Sequence, residues 1–492
     1  MTINETALQK RVKELEVKEL ENFPFNSAYL YVLDAVLRDV HAVIRPRPVD
    51  YVVRKDLLQI FDRIAKRIPG GTDGFPIVEA FGSFTMDLFT TQSDLDVSVT
   101  LAHEPTELPR DRKIWILKKL ARIFYSLRDQ GHVSSVQPIM SARVPIVKIV
   151  DRGTGIECDI SVENRDGVAK SRILSIIFSI DERFRFLGFL VKAWAKAHDI
   201  NSSKERTLNS LSLVSLVAFH LQTRSPPILP PFSALLRDGH DVASVEIVAR
   251  GFQHYGRANR ESLAELFVSL LTKLSSVETL WREGICASTY EGSWILKELK
   301  SHDGNINVED FLDRSQNIAR AVGTAEVKKI YECINRSLAR IFSFTKGWIQ
   351  AFELKRFLFG TDAVEELEHH CNSDFPRLDD SIGPNTSYSK TNHKRSFPFD
   401  DPIGPRVDPY QAKIARYDES YGVNPNFEIP PFPQIPYRSD YHQSQTSAGF
   451  QGPFFGFGEA NPLDIRYPAA YHEPKQYEPH QFVDRSFPPF FS

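Results

Sequence analysis

The sequence predicts an α+β protein in which a small mixed sheet is joined to a helical domain and followed by a tail without a packed core. Three observations carry this. Strand-like apolar runs are confined to about residues 50–163, the periodic segments beyond them read as helices only, and 18 of the 31 prolines fall after residue 371. With 492 residues, 42% hydrophobic and 25% charged, the chain has the balance of a soluble globular protein of two or three domains. A collagen-like or wholly disordered chain is excluded.

Taken in order, residues 8–42 read as helix, with charged early turns and then an apolar face through Leu30, Val32, Leu33, Val36 and Leu37. A second helix is predicted over about Val52–Ile68. PGGTDG then breaks the pattern, and IVEAFGS has the look of a buried strand ending in a Gly-Ser turn. DLDVSVTL alternates as a half-buried strand does, and about Arg112–Asp129 forms a helix with Ile114, Leu117, Leu120, Phe124 and Leu127 on one side. Three further strand-like runs follow: VSSVQPI, VPIVKIV and IECDISV. Helices are then expected over Ser171–Ile180, Phe184–His198, Ser210–Thr223, Ser262–Leu274 and Ala325–Leu354. The domains expected are N-terminal helices over 1–49 packing on the helical domain, a sheet-containing block over 50–163, the helical domain over 164–355, and a Pro/Tyr/Phe-rich disordered tail over 371–492.

Composition narrows the function classes. No run of eighteen or more uncharged apolar residues occurs and the first twenty residues are highly charged, so neither a membrane span nor a signal peptide is expected. The expectation is a cytoplasmic and/or nuclear protein with no membrane partner. Four cysteines without a CxxC pair argue against a zinc site or disulfide framework and fit a reducing compartment. The net charge of −3 argues against a strongly basic nucleic-acid binder, yet residues 371–492 carry 11 Lys+Arg against 15 Asp+Glu, so the first 370 residues are near neutral and can hold a local basic cleft. The tail, whose prolines remove backbone donors, reads as disordered and as a docking segment for a protein partner.

The chemistry lies in the first block. Gly82-Ser83 ends one strand and Ser93-Asp94-Leu95-Asp96 opens the next. Residues two apart on a strand share a face, so Asp94 and Asp96 can aim both carboxylates at one point, where a divalent cation relieves their repulsion. IECDISV supplies a third carboxylate, Asp159, and three carboxylates on neighbouring strands suit two-metal phosphoryl transfer. Glu157 shares the face of Asp159, and spacing alone does not choose between them. Gly82 permits close backbone approach to a triphosphate and Ser83 can donate to its oxygens. On its own a DxD pair is most often a solvated strand end; its combination with distant segments gives it weight.

Those segments carry a resemblance. AFGSFTMDLFTTQSDLDVSV, with ECDISVEN as the third-carboxylate strand, resembles the signature of the nucleotidyltransferase superfamily related to DNA polymerase beta. FLVKAWAKAHDINSSKERTLNSLSLVSLVAFHLQ resembles the central helical domain of non-canonical poly(A) polymerases and terminal uridylyltransferases, and VEDFLDRSQNIARAV their nucleotide-recognition loop. The match runs from about residue 25 to 350, its wording most like the plant small-RNA uridylyltransferases.

The resemblance implies a polymerase-beta-like catalytic domain with a PAP-associated helical domain. It puts Asp94 and Asp96, with Asp159, on two Mg2+ (or Mn2+) ions and makes Asp159 the group that activates an RNA 3′-hydroxyl. Gly82, Ser83, Lys192 and Lys196 would hold the triphosphate, Asn164 would lie near the ribose, and Ser210 would contact the nucleotide. Asp310, Asp313 and Gln316 fall in the base-recognition loop. From the residues alone, Asp310 and Asp313 also read as the acidic N-terminus of a helix, Asp310 as its cap. Departures from the family pattern bear on substrate choice: Leu211 stands for a common base-stacking Tyr, Lys170 for an Asn that meets the ribose, Gln316 for a His that favours uracil, and Phe311 for a Pro. His198 and His220 read as core or boundary histidines and not as catalysts, and Arg314, Arg320, Lys328 and Lys329 as solvated surface, with lining of an RNA cleft as the alternative. The expected activity is template-independent addition of UMP from UTP to RNA 3′ ends, in small-RNA or mRNA turnover. The alternatives are an adenylyltransferase using ATP, or a non-catalytic RNA-binding scaffold.

Overall fold

The computed structural model describes residues 5–22, 27–68, 76–101, 108–297 and 305–360. The chain divides into two units, Met1–Asp408 and Pro409–Ser492, and every described residue belongs to the first. The expected tail over 371–492 lies outside the described residues. Among these residues no helix is long and apolar enough to cross a membrane.

Two helices, α1 (Glu5–Asn22) and α2 (Ser27–Ile44), stand where one was expected over 8–42. Residues 23–26, Pro24 among them, lie outside the described residues. Helix α3 (Pro48–Ala65) starts with proline at its first position, where the missing N–H costs nothing. There follow β1 (Ile77–Phe81), the single turn α4 (Gly82–Thr85), β2 (Leu95–Thr100), α5 (Arg110–Asp129), β3 (Val133–Ile139), β4 (Ile146–Asp151) and β5 (Glu157–Val162). The five strands form one mixed sheet in the order β1-β2-β5-β4-β3, with β2 and β5 parallel and the other pairs antiparallel. Helix α5 packs on β3, β4 and β5, and α3 on β1 and β2.

Next come α6 (Arg165–Ile177), α7 (Glu182–Ala197), α8 (Ser210–Gln222), α9 (Phe232–Leu235), α10 (Val242–Arg250) and α11 (Leu263–Ser276). Helix α11 opens with a reciprocal Ser262/Glu265 capping box. A hairpin of β6 (Ile285–Ser288) and β7 (Ser293–Leu296) interrupts the helices, correcting the expectation of helix alone. The helix expected over 325–354 is also two, α12 (Thr324–Thr345) and α13 (Ala351–Phe359). Gly347 at φ +73° ends α12. Its N–H donates to Phe344 O at 2.9 Å while Trp348 N–H donates to Ser343 O at 3.0 Å, the paired bonds of a Schellman C-terminus.

One apolar core runs through the helical part, with Trp194, Phe219, Phe267 and Trp281 buried in it, and Leu8, Val12, Leu33 and Leu37 bring the first two helices onto it. Polar clasps fix that packing: Lys273 meets Glu16 at 3.0 Å, and Gln9 donates to Trp294 O at 2.8 Å. His220 is buried against Ser269, a core histidine, and the half-buried His198 packs on Phe357 at the boundary of the core.

Candidate active site

The sheet register places the carboxylates. Asp96 pairs with Phe81 of β1 on one side and with Asp159 of β5 on the other, and Asp94 lies just before β2. Two parallel strands in direct register thus put Asp96 and Asp159 side by side. The loop leading into Asp94 is pinned by Arg54, a buried guanidinium from α3 that donates to Thr91 O at 3.0 Å and Ser93 O at 2.6 Å and stacks on Phe89 at 4.7 Å.

Gly82 could be no other residue. Its φ is +67°, and a Cβ there would stand 2.1 Å from Asp96 Oδ2. Its N–H donates to Ser171 Oγ at 2.8 Å, and Ser171 donates on to Gly167 O at 2.7 Å, so α6 holds the turn that carries Ser83. Asn164 caps α6 through Gly167 N at 3.3 Å while its own N–H donates to Ser98 Oγ at 3.0 Å, docking that helix on β2. Lys192 of α7 donates to Leu88 O at 2.8 Å.

Gly82, Ser83, Asp94, Asp96, Asn164, Lys192, Lys196 and Ser210 all line one cleft of about 630 Å3, together with Glu157 and Lys170. Asp159 is not among its lining residues; its Oδ1 lies 2.9 Å from Lys148 Nζ, as an ion pair off the hydrogen-bonding direction. Lys148 faces Asp159 across β4 and β5 and also donates to Glu157 Oε2 at 2.9 Å.

Crowding shows in the titration. Burial, then the charges of Asp94 and Asp159, push the Asp96 carboxyl up to about 8, with Lys192 and Lys148 pulling against them. Burial raises Asp159 too, opposed by Lys148. Burial lowers Lys192 to about 8 despite the nearby Asp94 and Asp96. For Lys148, the two carboxylates outweigh burial and hold its ammonium above the usual range. Three oxygen-donor carboxylates in mutual repulsion fit a hard divalent cation in chemistry. As placed, no three His, Cys, Asp or Glu side chains among the described residues are gathered closely enough to hold one.

The recognition segment differs from its expected form. No helix begins at Asp310; the next one starts at Thr324. Instead Asp310 is buried, caps a turn by accepting from Leu312 N at 3.0 Å and Asp313 N at 3.3 Å, and forms a salt bridge with Lys170. Asn317 explains the turn: its Oδ1 accepts from Val308 N and Ala319 N at 3.1 and 2.9 Å, and its Nδ2 donates to Ile306 O at 3.0 Å, competing with a helical ladder. Asp313 is exposed and accepts from Ser315 Oγ at 2.6 Å, and Gln316 is half-buried, donating to Ser315 at 3.2 Å. None of these three lines the cleft, whereas Lys170 does. Phe311 is buried edge-on against Phe232. Arg314 is paired with Glu291 at 2.8 Å and Lys329 with Asp199 O at 2.9 Å.

Sequence reasoning missed Lys148, Arg54 and Ser171. Lys148 was detectable as the single charge inside an apolar strand run; the other two act through contacts distant in sequence.

The mixed five-stranded sheet with a carboxylate-lined cleft against a helical domain defines a polymerase-beta-like nucleotidyltransferase fold. Residues 33–179 match the family described as "Poly(A) RNA polymerase, mitochondrial-like, central palm domain". Protein HESO1 of Arabidopsis thaliana is 33% identical over 377 residues, 69% of this chain and 70% of that protein. Terminal uridylyltransferase 7 of Homo sapiens is 25% identical over 381 residues, 73% of this chain but only 24% of that much longer protein. The structure of Cid1 in complex with the UTP analog UMPNPP matches the fold with a TM-score of 0.51 at 21% identity, covering 63% of this chain and 93% of that one. The chain belongs to the family of terminal uridylyltransferases and non-canonical poly(A) polymerases.

Proposed function

We propose that the protein is a template-independent RNA 3′-terminal uridylyltransferase, transferring UMP from UTP. The observation that carries this reading is a cleft that gathers Asp94 and Asp96 with Lys192 and Lys196, with Asp159 next to Asp96 in direct register on the neighbouring strand. The choice of uridylyl transfer draws on the kinship with Terminal uridylyltransferase 7.

Asp94, Asp96 and Asp159 would hold two Mg2+ or Mn2+ ions, which supply charge stabilisation at the attacking and leaving oxygens when bound. The rest falls to the chain. Lys192 and Lys196, one helical turn apart on α7, take the triphosphate, and the turn of Gly82 and Ser83, which lines the same cleft, lies against its oxygens. Asp159, whose carboxyl binds a proton more readily than an ordinary aspartate, accepts the proton of the RNA 3′-hydroxyl. Lys148 fixes its orientation. Asn164 and Ser210 position ribose and base edge.

The test is extension of a labelled single-stranded RNA with Mg2+ and each nucleoside triphosphate separately, beside the Asp94→Ala/Asp96→Ala variant. Ladders with UTP, absent in the variant, are expected. Ladders mainly with ATP would move the protein to the adenylyltransferase side of its family, and no extension by folded protein would favour a non-catalytic scaffold.

A further inference from the structure

A second cavity of about 1140 Å3 lies between the end of α2, the start of α3, the turn after α4 and the start of α7. Rings form part of its wall: His41 and Phe186 lie 4.3 Å apart by centroid, with Tyr51 also lining the groove. Arginines 45, 47 and 185 carry the positive charge, against Asp87 and Glu182. Arg185 is paired with Asp87 at 3.1 Å and Arg47 loosely with Asp50 at 3.6 Å, while Arg45 is exposed and makes no ion pair among the described residues.

This groove shares a wall with the catalytic cleft. Along the strip before Asp94, Asp87 and Thr91 line the groove, whereas Leu88, Thr90 and Gln92 line the cleft, and Phe189 borders both. One thin partition therefore separates the nucleotide side of the cleft from the arginine-bordered groove, and Lys192 is bonded to that partition at Leu88 O.

Size and chemistry choose the occupant. Pockets for small molecules run about 300–1,000 Å3, and this one is larger. A net positive rim along the backbone of a ligand, with aromatic faces on which any base can stack, is the combination that binds single-stranded nucleic acid without reading its sequence. We propose that the groove binds a single-stranded segment of the RNA substrate upstream of the 3′ end being extended. The choice of RNA rests on the function proposed above; the groove itself does not. Arg45 and Arg47 neutralise phosphates and Phe186 offers the stacking face.

The experiment uses the full chain and measures equilibrium binding of a fluorescent single-stranded RNA 15-mer and of a 3-mer, across salt concentrations. In Arg45→Ala/Arg47→Ala, loss of two phosphate contacts should reduce the slope of log affinity against log salt by about 1.4. Affinity for the 15-mer should fall by about tenfold at moderate salt, with 3-mer binding and UTP incorporation into the 3-mer unchanged. Phe186→Ala should weaken the 15-mer at least about fivefold with the slope preserved, because stacking carries no counterion release. An unchanged 15-mer affinity and slope in both variants overturns the proposal, including the case in which the groove takes a protein instead. Equal loss for 3-mer and 15-mer also overturns it, since the arginines would then act within the cleft. If the wild type binds the 15-mer in this arginine-dependent way but extends no RNA with any nucleotide, the groove assignment stands and the transferase reading falls.

Discussion

Replacing Lys170 by methionine tests the link between α6 and the recognition turn. The Lys170 side chain is 8% exposed and that of Asp310 is 4% exposed, so their salt bridge is dry; the second partner, Asp166, is 66% exposed and 2.7 Å away. Removing one member of a buried pair costs about 3–5 kcal/mol, because the other charge is left without compensation. The arm to Asp166 adds about 1 kcal/mol at most. Asp310 keeps its two backbone donors, Leu312 N and Asp313 N, which soften the loss. A destabilisation near 3 kcal/mol, the lower end of that range, is therefore expected by urea unfolding. Asp310→Asn retains the backbone acceptor but not the charge, so a cycle with Lys170→Met should show coupling of about 2 kcal/mol. Because the same turn carries Gln316, the UTP-to-ATP preference should also move in Lys170→Met. A loss under about 0.5 kcal/mol, the range of ordinary surface changes, or strict additivity in the cycle, would refute the clasp. An unchanged nucleotide preference would refute its connection to base choice.

Gly82→Ala forces a Cβ into the space of Asp96 Oδ2 at a positive φ; displacement of that carboxylate by about 1 Å should cost about 100-fold in nucleotide addition, and activity within tenfold of wild type would contradict it. Arg54→Met strips the donors from Thr91 O and Ser93 O inside the fold, so unfolding in urea should register a loss of about 2–4 kcal/mol together with weaker addition, each orphaned carbonyl costing about 1–3 kcal/mol; wild-type stability would show that the loop before Asp94 holds itself. His41 is lowered from 6.5 to about 4 by burial, then by Arg45, with Asp87 opposing and Arg38 assisting. A histidine depressed in the fold contributes stability that is complete above 6.5 and lost as pH falls through 4, so melting temperature should decline between those limits in wild type and less in His41→Gln. Equal slopes in the two proteins would remove His41 from the acid response.

The sheet was readable because its strands announce themselves locally: a period of two in DLDVSVTL and IECDISV, broken by turn residues, needs no knowledge of partners. Helix ends were less readable. The break after Thr345 had a signal in Lys346-Gly347, yet glycine within a long periodic run is often tolerated, and only the left-handed φ of Gly347 makes it a terminus. The recognition segment was misread for a different reason. Asp310 and Asp313 have the spacing of a helix start, but Asn317 spends its amide on Val308, Ala319 and Ile306, and a side chain bonding that far along its own loop leaves no pattern in the sequence.

The candidate site divides along the same line. Residue types and spacing sufficed to collect Gly82, Ser83, Asp94 and Asp96, and the family resemblance added Lys192 and Lys196; all six line one cleft. What spacing could not supply is the charge balance, which depends on register between strands. Asp96 meets Asp159 because β2 and β5 run parallel, and Lys148 meets Asp159 because β4 runs antiparallel to β5. The charges of Asp94 and Asp159 work against ionised Asp96, yet cations reach these carboxylates from two elements remote in sequence, Lys148 from β4 and Lys192 from α7. Those lysines partly compensate the cluster before any cation arrives. It follows that Lys148→Met and Lys192→Met should each destabilise the metal-free protein, and that Asp96→Asn should offset part of either loss. Were Asp96→Asn to add to the damage instead, the carboxylates would not be repelling one another, and the case for a cation site would lose its electrostatic ground.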